Sequence, residues 1–390
     1  MLAAVVGDRS SALDVNSRRS IVAVLYLAVV GPCVFILQPG FVQGLVEYVG
    51  LSGEAAGYVA SAEMFGIATT TVLLSLIAER VSWRTFLVFS ALFCAIGNFA
   101  SIGQTDPQIL AVIRFITGLG SGGLISLTFT MAGLTERTDR NFGLIIVWVL
   151  TYGALGLLVM PTAYQAIGMN GVLAFFGLFC ASSLLFVRNT PDSGHAHADE
   201  SRRRDYSSLV RRISLTAILI YNIAIGIVWA YLFLVGIEAG MAEQSVANAL
   251  TVSQFLGIVG AFLVVVFEKR FGRVVPLVVT ISGTAAFIYI LVGELDANGF
   301  WIAVCGFNFL WNISMPYLLA TMAEFDYRGR MVVQGVSMQM IGLAIGPSLA
   351  AQLLARGGYD LVNTAGVMLF VAAALVILPG VLAQQRTQVE

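Results

Sequence analysis

The chain has very little charge. Asp, Glu, Lys and Arg make up 11% of its 390 residues, roughly half the share found in soluble domains. With 58% hydrophobic residues and a mean hydropathy of +0.89, it lacks the polar residues needed to cover a soluble core of its size. No basic tract suits nucleic acid, and no cluster of ligands suits a metal. The four cysteines, Cys33, Cys94, Cys180 and Cys305, fall in separate apolar runs with no CxxC pair. They read as small buried hydrophobes. The two histidines, His195 and His197, share one polar stretch. Histidine is therefore absent from the apolar runs, both for a proton relay and for a Ser–His or Cys–His pair. There is no HExxH and no Walker-type phosphate loop, which argues against an enzyme, a bound cofactor and direct ATP drive. Residues 1–20 are polar and carry Arg9, Arg18 and Arg19. The apolar run after them is too long for a signal h-region and lacks a cleavage site.

What is present is a series of long apolar runs. A helix needs about 20 apolar residues to cross the hydrocarbon core, where its backbone groups must be paired internally. The runs predict about twelve spans, near 21–43, 54–78, 85–103, 108–132, 142–165, 169–187, 213–236, 244–267, 274–293, 299–323, 331–355 and 361–383. The fifth and sixth are separated only by Gln165 to Gly171.

Arg and Lys set the orientation. Apart from Arg114 inside a span and Arg356 after span 11, every Arg and Lys falls in the tails or after an even-numbered span. Both termini are therefore expected in the cytoplasm. The long polar stretch 188–212, with Pro191, both histidines and Arg202–Arg204, divides the chain near its middle. The expected organisation is 1–187, a cytoplasmic linker 188–212, and 213–390.

The halves show a faint repeat at about 190 residues: Arg80 answers to Arg270, and Glu136 and Arg140 to Glu324 and Arg328. Six spans each, duplicated in parallel, imply a pseudo-twofold axis along the membrane normal and a central cavity. At these residues the chain resembles the major facilitator superfamily over nearly its whole length. After span 2 the family carries Gly-x-x-x-Asp-Arg-x-Gly-Arg-Arg; here Ser75, Glu79, Arg80, Ser82 and Arg84 stand in that frame, with both glycines replaced. The second copy keeps Arg270, Gly272 and Arg273. Span 4 matches Leu-x-x-x-Arg-x-x-Gln-Gly-x-Gly through Leu110, Arg114, Gly118 and Gly120, with Thr117 at the Gln position. The antiporter pattern expected in span 5 is badly spaced, as Gly153, Gly156 and Pro161. A Gly342-x-x-x-Gly346-Pro347 run lies instead in span 11, where close helix packing accounts for it. Span 1 lacks the Asp-Gly-x-Asp element of the family's aromatic-acid symporters. The resemblance implies an all-α polytopic fold of two six-helix bundles. It also implies a cytoplasmic gate built from Glu79, Arg80, Arg84, Arg270 and Arg273.

Two ionisable side chains lie well inside spans, Glu63 in span 2 and Arg114 in span 4. Such charges are costly and are functional candidates by default. Their depths differ by only about 5 Å at about 1.5 Å per residue, so the two can pair. The pair is either a permanent structural bridge or a switch. As a switch, protonation of Glu63 would free Arg114 to hold an anionic substrate bidentately. In the family, spans 1, 4, 7 and 10 line the cavity. Candidate substrate contacts are therefore Arg114, Gln38 beside the Pro39-Gly40 step, Asn222 and Trp229 in span 7, and Asn308, Trp311 and Asn312 in span 10. Tyr152 in span 5 joins them. Trp148, Gln254 and Gln339 rank behind. Asn308 and Asn312 share a helix face.

The expected function is a proton-coupled secondary transporter in the cell membrane, with the short loops favouring a bacterial inner membrane. Its partners would be a small organic solute, an organic or aromatic anion by first choice, and protons, with sodium as the alternative coupling ion. A monomer is expected, and no nucleic acid or metal. Efflux of drugs or hydrophobic metabolites is the alternative.

Overall fold

The structure, a computed structural model, describes residues 14–77, 80–192, 206–267, 274–325 and 330–389. Every element in it is helical. Among the described residues, eight helices are long and apolar enough to cross a membrane: α4 (Gly53–Ile77), α5 (Trp83–Ala100), α6 (Pro107–Gly133), α7 (Thr138–Ser182), α9 (Ser208–Glu238), α10 (Glu243–Phe267), α12 (Ala297–Phe325) and α13 (Arg330–Val389). Two of them contain a break. α7 turns at Gly168 and α13 at Gly357 and Gly358. Gly168 and Gly358 take φ of 64° and 66°, a conformation that a side chain would strain. Each of these long helices is thus two spans, with the short α8 (Leu184–Val187) ending span 6. The 16-residue α11 (Val274–Tyr289) supplies span 9. Span 1 is segmented into α1 (Arg18–Val30), α2 (Cys33–Ile36) and α3 (Gln38–Glu47). That makes twelve passages among the described residues.

The segmentation of span 1 follows from its prolines. Pro32 and Pro39 cannot donate to the helical ladder, and the helix breaks just before each, at Gly31–Pro32 and at Leu37. Pro39 then sits in the first turn of α3, where no donor is needed. Two span-1 carbonyls are used by other helices. Phe35 O accepts from Trp229 Nε1 at 3.2 Å, and Gly40 O accepts from Tyr164 OH at 3.0 Å.

The twofold repeat is visible in the backbone. The glycines with positive φ pair as Gly50 with Gly240, Gly103 with Gly293, and Gly168 with Gly358, each pair 190 residues apart. Gly103 N donates to Asn170 Oδ1 at 2.9 Å, and Gly293 N donates to Asp360 Oδ1 at 3.0 Å, which is the same bond shifted by the same 190. Asp106 and Asp296, likewise offset, each accept from backbone N–H groups at the start of spans 4 and 10.

Within each half, glycine allows backbone-to-backbone contact. A Cβ on Gly118 would lie 2.0 Å from Glu63 O, and one on Gly122 would lie 2.5 Å from Ile67 O. Spans 2 and 4 are therefore locked together. In the second half a Cβ on Gly346 would lie 2.5 Å from Gly226, and one on Gly342 would lie 2.7 Å from Leu219 O. The Gly342–Pro347 run thus seats span 11 on span 7.

The halves meet where span 2 packs on span 11, span 5 on span 8, and span 1 on span 7. Two of the joining bonds are related by the repeat: Ser61 Oγ donates to Ala344 O, and Thr251 Oγ1 donates to Ala154 O at 3.1 Å. The others include Tyr231 OH to Gly53 O at 2.9 Å and Gln244 Nε2 to Leu158 O at 3.1 Å. At the same end, Gln43 Nε2 and Tyr48 OH donate to Glu243 at 3.2 and 3.5 Å. These bonds run from mid-helix to the arginine-poor end, so the molecule is tied shut there.

Candidate functional site

The two intramembrane charges meet. Arg114 Nη2 lies 2.6 Å from Glu63 Oε1 and donates to it, and Nε donates to Oε2 at 3.2 Å. This is a bidentate fork, the geometry that makes arginine a strong carboxylate partner. The third arm, Nη1, donates to Asn98 Oδ1 in span 3 at 2.8 Å. The ring of Phe41 in span 1 lies 5.1 Å from the guanidinium carbon, a cation–π distance. Arg114 is 0% exposed and Glu63 2%. Glycines bring them together. Because Gly118 and Gly66 let spans 2 and 4 touch, the carboxylate and guanidinium meet without extra reach.

Asn98 connects the pair to a sulfur cluster. Its Nδ2 donates to Cys94 O at 2.8 Å and lies 3.7 Å from Cys180 Sγ. Cys180 Sγ is in turn 4.0 Å from Cys33 Sγ. Asn98 is the partner of the Glu63–Arg114 pair that the charge-based reading missed. Its signal was present, as a lone amide in the apolar run of span 3, but an amide alone does not say which helix it faces. Cys33, Cys94 and Cys180 are buried as expected of small hydrophobes, while Cys305 is half-buried.

The neutral candidates divide. Trp229 is buried, gives its Nε1–H to Phe35 O, and meets Trp311 edge-on at 5.7 Å. Trp311 is half-buried and also touches Phe307. Asn308 donates to Ser253 Oγ at 3.1 Å, and Asn312 donates back to Asn308 at 2.9 Å. Tyr152 stacks on Phe179 at 5.6 Å, and its buried hydroxyl has no hydrogen-bond partner. Asn222 is buried beside Gly342 and donates to Ile218 O of its own helix. Gln38 is buried in the first turn of α3. Trp148, on span 5, is exposed. Spans 1, 7 and 10 are therefore brought together at mid-depth around Phe35, Trp229 and Trp311, while Arg114 lies inside the first half.

Of the gate candidates, Arg80 is exposed. Arg84 Nη2 donates to Thr190 O at 2.8 Å, and its backbone N donates to Asp192; both partners lie just past span 6 in the same half. Glu79, Arg270 and Arg273 lie outside the described residues.

The sequence profile of the Major Facilitator Superfamily matches residues 23–347. The chain is 21% identical to the multidrug resistance protein MdtL of Shewanella sp. (strain ANA-3), across 75% of this chain and 76% of that one. It is 25% identical to a gentisate transporter of Corynebacterium glutamicum across 32% of this chain and 30% of the relative. Its fold superposes on a crystal structure of a D-xylose-proton symporter with a TM-score of 0.74 at 14% identity, covering 92% of this chain and 96% of the other. With twelve membrane passages among the described residues, arranged in two repeat-related halves, and this profile match, the chain belongs to the Major Facilitator Superfamily of secondary membrane transporters and is not an enzyme.

Proposed function

We propose that this protein is a proton-coupled transporter of a small organic solute, with Glu63 as the proton carrier and Arg114 as its counter-charge. The observation that carries the reading is the wholly buried fork between them, completed by Asn98. Leaving one buried charge without its partner costs about 3–5 kcal/mol. Adding a proton to Glu63 therefore changes what Arg114 can hold, and a guanidinium cannot neutralise itself. An organic anion is the solute that a released Arg114 would accept. We read the bonds that tie the arginine-poor end as those of a state closed to the outside. Residues 1–187 and 213–390 rock about the Phe35–Trp229–Trp311 level, joined by the linker 188–212, in a bacterial inner membrane with both termini inside. Gln38, Tyr152, Asn222, Asn308 and Asn312 are the proposed solute contacts. Arg80, Arg84 and the positions 79, 270 and 273 form the cytoplasmic gate. The test is uptake into proteoliposomes under an imposed pH gradient: Glu63→Gln should keep solute binding and lose the response to the gradient.

A second reading is export of hydrophobic compounds by proton exchange. It is favoured by the similarity to MdtL across three quarters of the chain. The sign of the gradient that drives accumulation separates the two, since symport follows protons inward and exchange runs against them.

A further inference from the structure

We propose that the cleft between the first turns of span 1 and the end of span 6 binds an anionic phospholipid, with its phosphate at Arg18 and Arg19 and an acyl chain along Val22 and Phe186. Such a site is independent of the transported solute.

The cleft follows from how two helix faces meet. Arg18, Val22 and Tyr26 recur every four residues on α1, so they share a face. Ser182, Phe186 and Asn189 recur at helical spacing at the end of span 6. The two faces touch at their inner ends. Tyr26 OH and Ser182 Oγ share a hydrogen bond of 2.6 Å, and the Tyr26 ring stacks on Phe186 with centroids 4.2 Å apart. Toward the helix ends the contact gives way to open space. Val22, one turn before Tyr26, is 55% exposed. An open cleft of about 260 Å³ lies among Arg18, Arg19, Val22, Phe186 and Asn189. The span 6 wall is held in place, since Asn189 N donates to Phe186 O at 2.9 Å and Thr190 O accepts from Arg84.

The residues around the cleft divide by polarity. Arg18 and Arg19 are exposed at its mouth, just before the apolar run of span 1 begins. Among the described residues neither stands in an ion pair, and none of the five lining residues is acidic. Two guanidinium groups therefore present unneutralised positive charge at the membrane boundary, where basic residues attract anionic headgroups. Arginine is suited to this place. Its stem lies along apolar surface while its head stays in the polar layer, and its planar fork matches phosphate oxygens. Deeper in, the walls are Val22 and Phe186, and Leu185 beside Phe186 is 69% exposed. A charged mouth above an apolar slot matches the two parts of a phospholipid. A free anion would leave the slot unused, and a lipid without net charge would leave the arginines uncompensated.

The test titrates the full-length protein in detergent with phosphatidylglycerol or with phosphatidylcholine of the same chains, and counts bound lipid by native mass spectrometry. Wild type should bind phosphatidylglycerol roughly thirtyfold more tightly, about fivefold for each arginine. Arg18→Gln with Arg19→Gln should erase that preference, and both positions are exposed, so the variant should fold. A charge-matched control, Arg140→Gln with Arg212→Gln, removes two exposed arginines from the same end of the molecule. It should keep the preference within about twofold. Inorganic phosphate at millimolar concentration should not displace the lipid. Equal losses in the two double variants would overturn the assignment, because a diffuse surface field would then account for the binding. Equal affinity for the two lipids would overturn it as well. So would displacement by inorganic phosphate, which would mark a site for free anions.

Discussion

Replacing Glu63 with leucine leaves the Arg114 guanidinium wholly buried, with only Asn98 Oδ1 at 2.8 Å and the Phe41 face as partners. Two charge-assisted bonds, at 2.6 and 3.2 Å, are lost. The expected cost is about 3–5 kcal/mol, because the uncompensated charge remains in a low-dielectric interior. The converse change, Arg114→Met, should cost less. A carboxylate can discard its charge by taking up a proton, and a guanidinium cannot. Removing both charges with Glu63→Leu and Arg114→Met together should restore stability to near wild type, since apolar groups of similar volume replace a buried pair at little cost. The assay is thermal unfolding of the three variants and wild type in one detergent at one scan rate. Unfolding of such proteins is commonly irreversible, so the order of the midpoints is what counts. The expected order, lowest first, is Glu63→Leu, then Arg114→Met, then the double variant close to wild type. A double variant that loses the sum of the two single losses would refute the reasoning, because the residues would then act independently.

Further outcomes follow from the packing. Gly118→Ala should destabilise by about 1–3 kcal/mol, because its Cβ would meet the Glu63 carbonyl at 2.0 Å in a core with no room. Gly143→Ala, with nothing within 4 Å, should be neutral or stabilising by up to about 1 kcal/mol; paired melting curves check both. Glu243→Ala removes the acceptor of Gln43 and Tyr48 and should loosen the outer seam. Maleimide labelling of a cysteine placed at the buried Ala247 should then speed up by roughly fivefold or less. Tyr152→Phe deletes a buried hydroxyl with no partner and should raise stability by about 1 kcal/mol; a lowered melting midpoint would show that the hydroxyl is bonded.

Much of the fold could be read from the sequence because membrane crossing imposes length and polarity on each helix independently. The twelve apolar runs and the Arg distribution needed no tertiary knowledge. The turn between spans 5 and 6 was the weakest point, since α7 runs through it except at Gly168, a break that only a positive φ reveals. The repeat was faint in the loop arginines and plain in the glycine pairs, whose meaning depends on backbone angles. At the site, Glu63 and Arg114 were evident because charge is rare in lipid, and their near-equal depth permitted the fork that is observed. Asn98 was harder. A neutral amide in a span gives no sign of its partner. The Arg84 contact with Thr190 and Asp192 depends on where the chain leaves span 6, which no local pattern shows.

The measurement closest to the central claim is accumulation of an organic anion that wild type binds, in proteoliposomes holding wild type or Glu63→Gln, under an imposed pH gradient and, separately, an imposed sodium gradient. Wild type should accumulate the probe with the pH gradient alone, and Glu63→Gln should exchange it across the membrane without accumulating it. Accumulation by Glu63→Gln that follows the pH gradient as wild type does, or wild-type accumulation that follows sodium instead, would contradict the account.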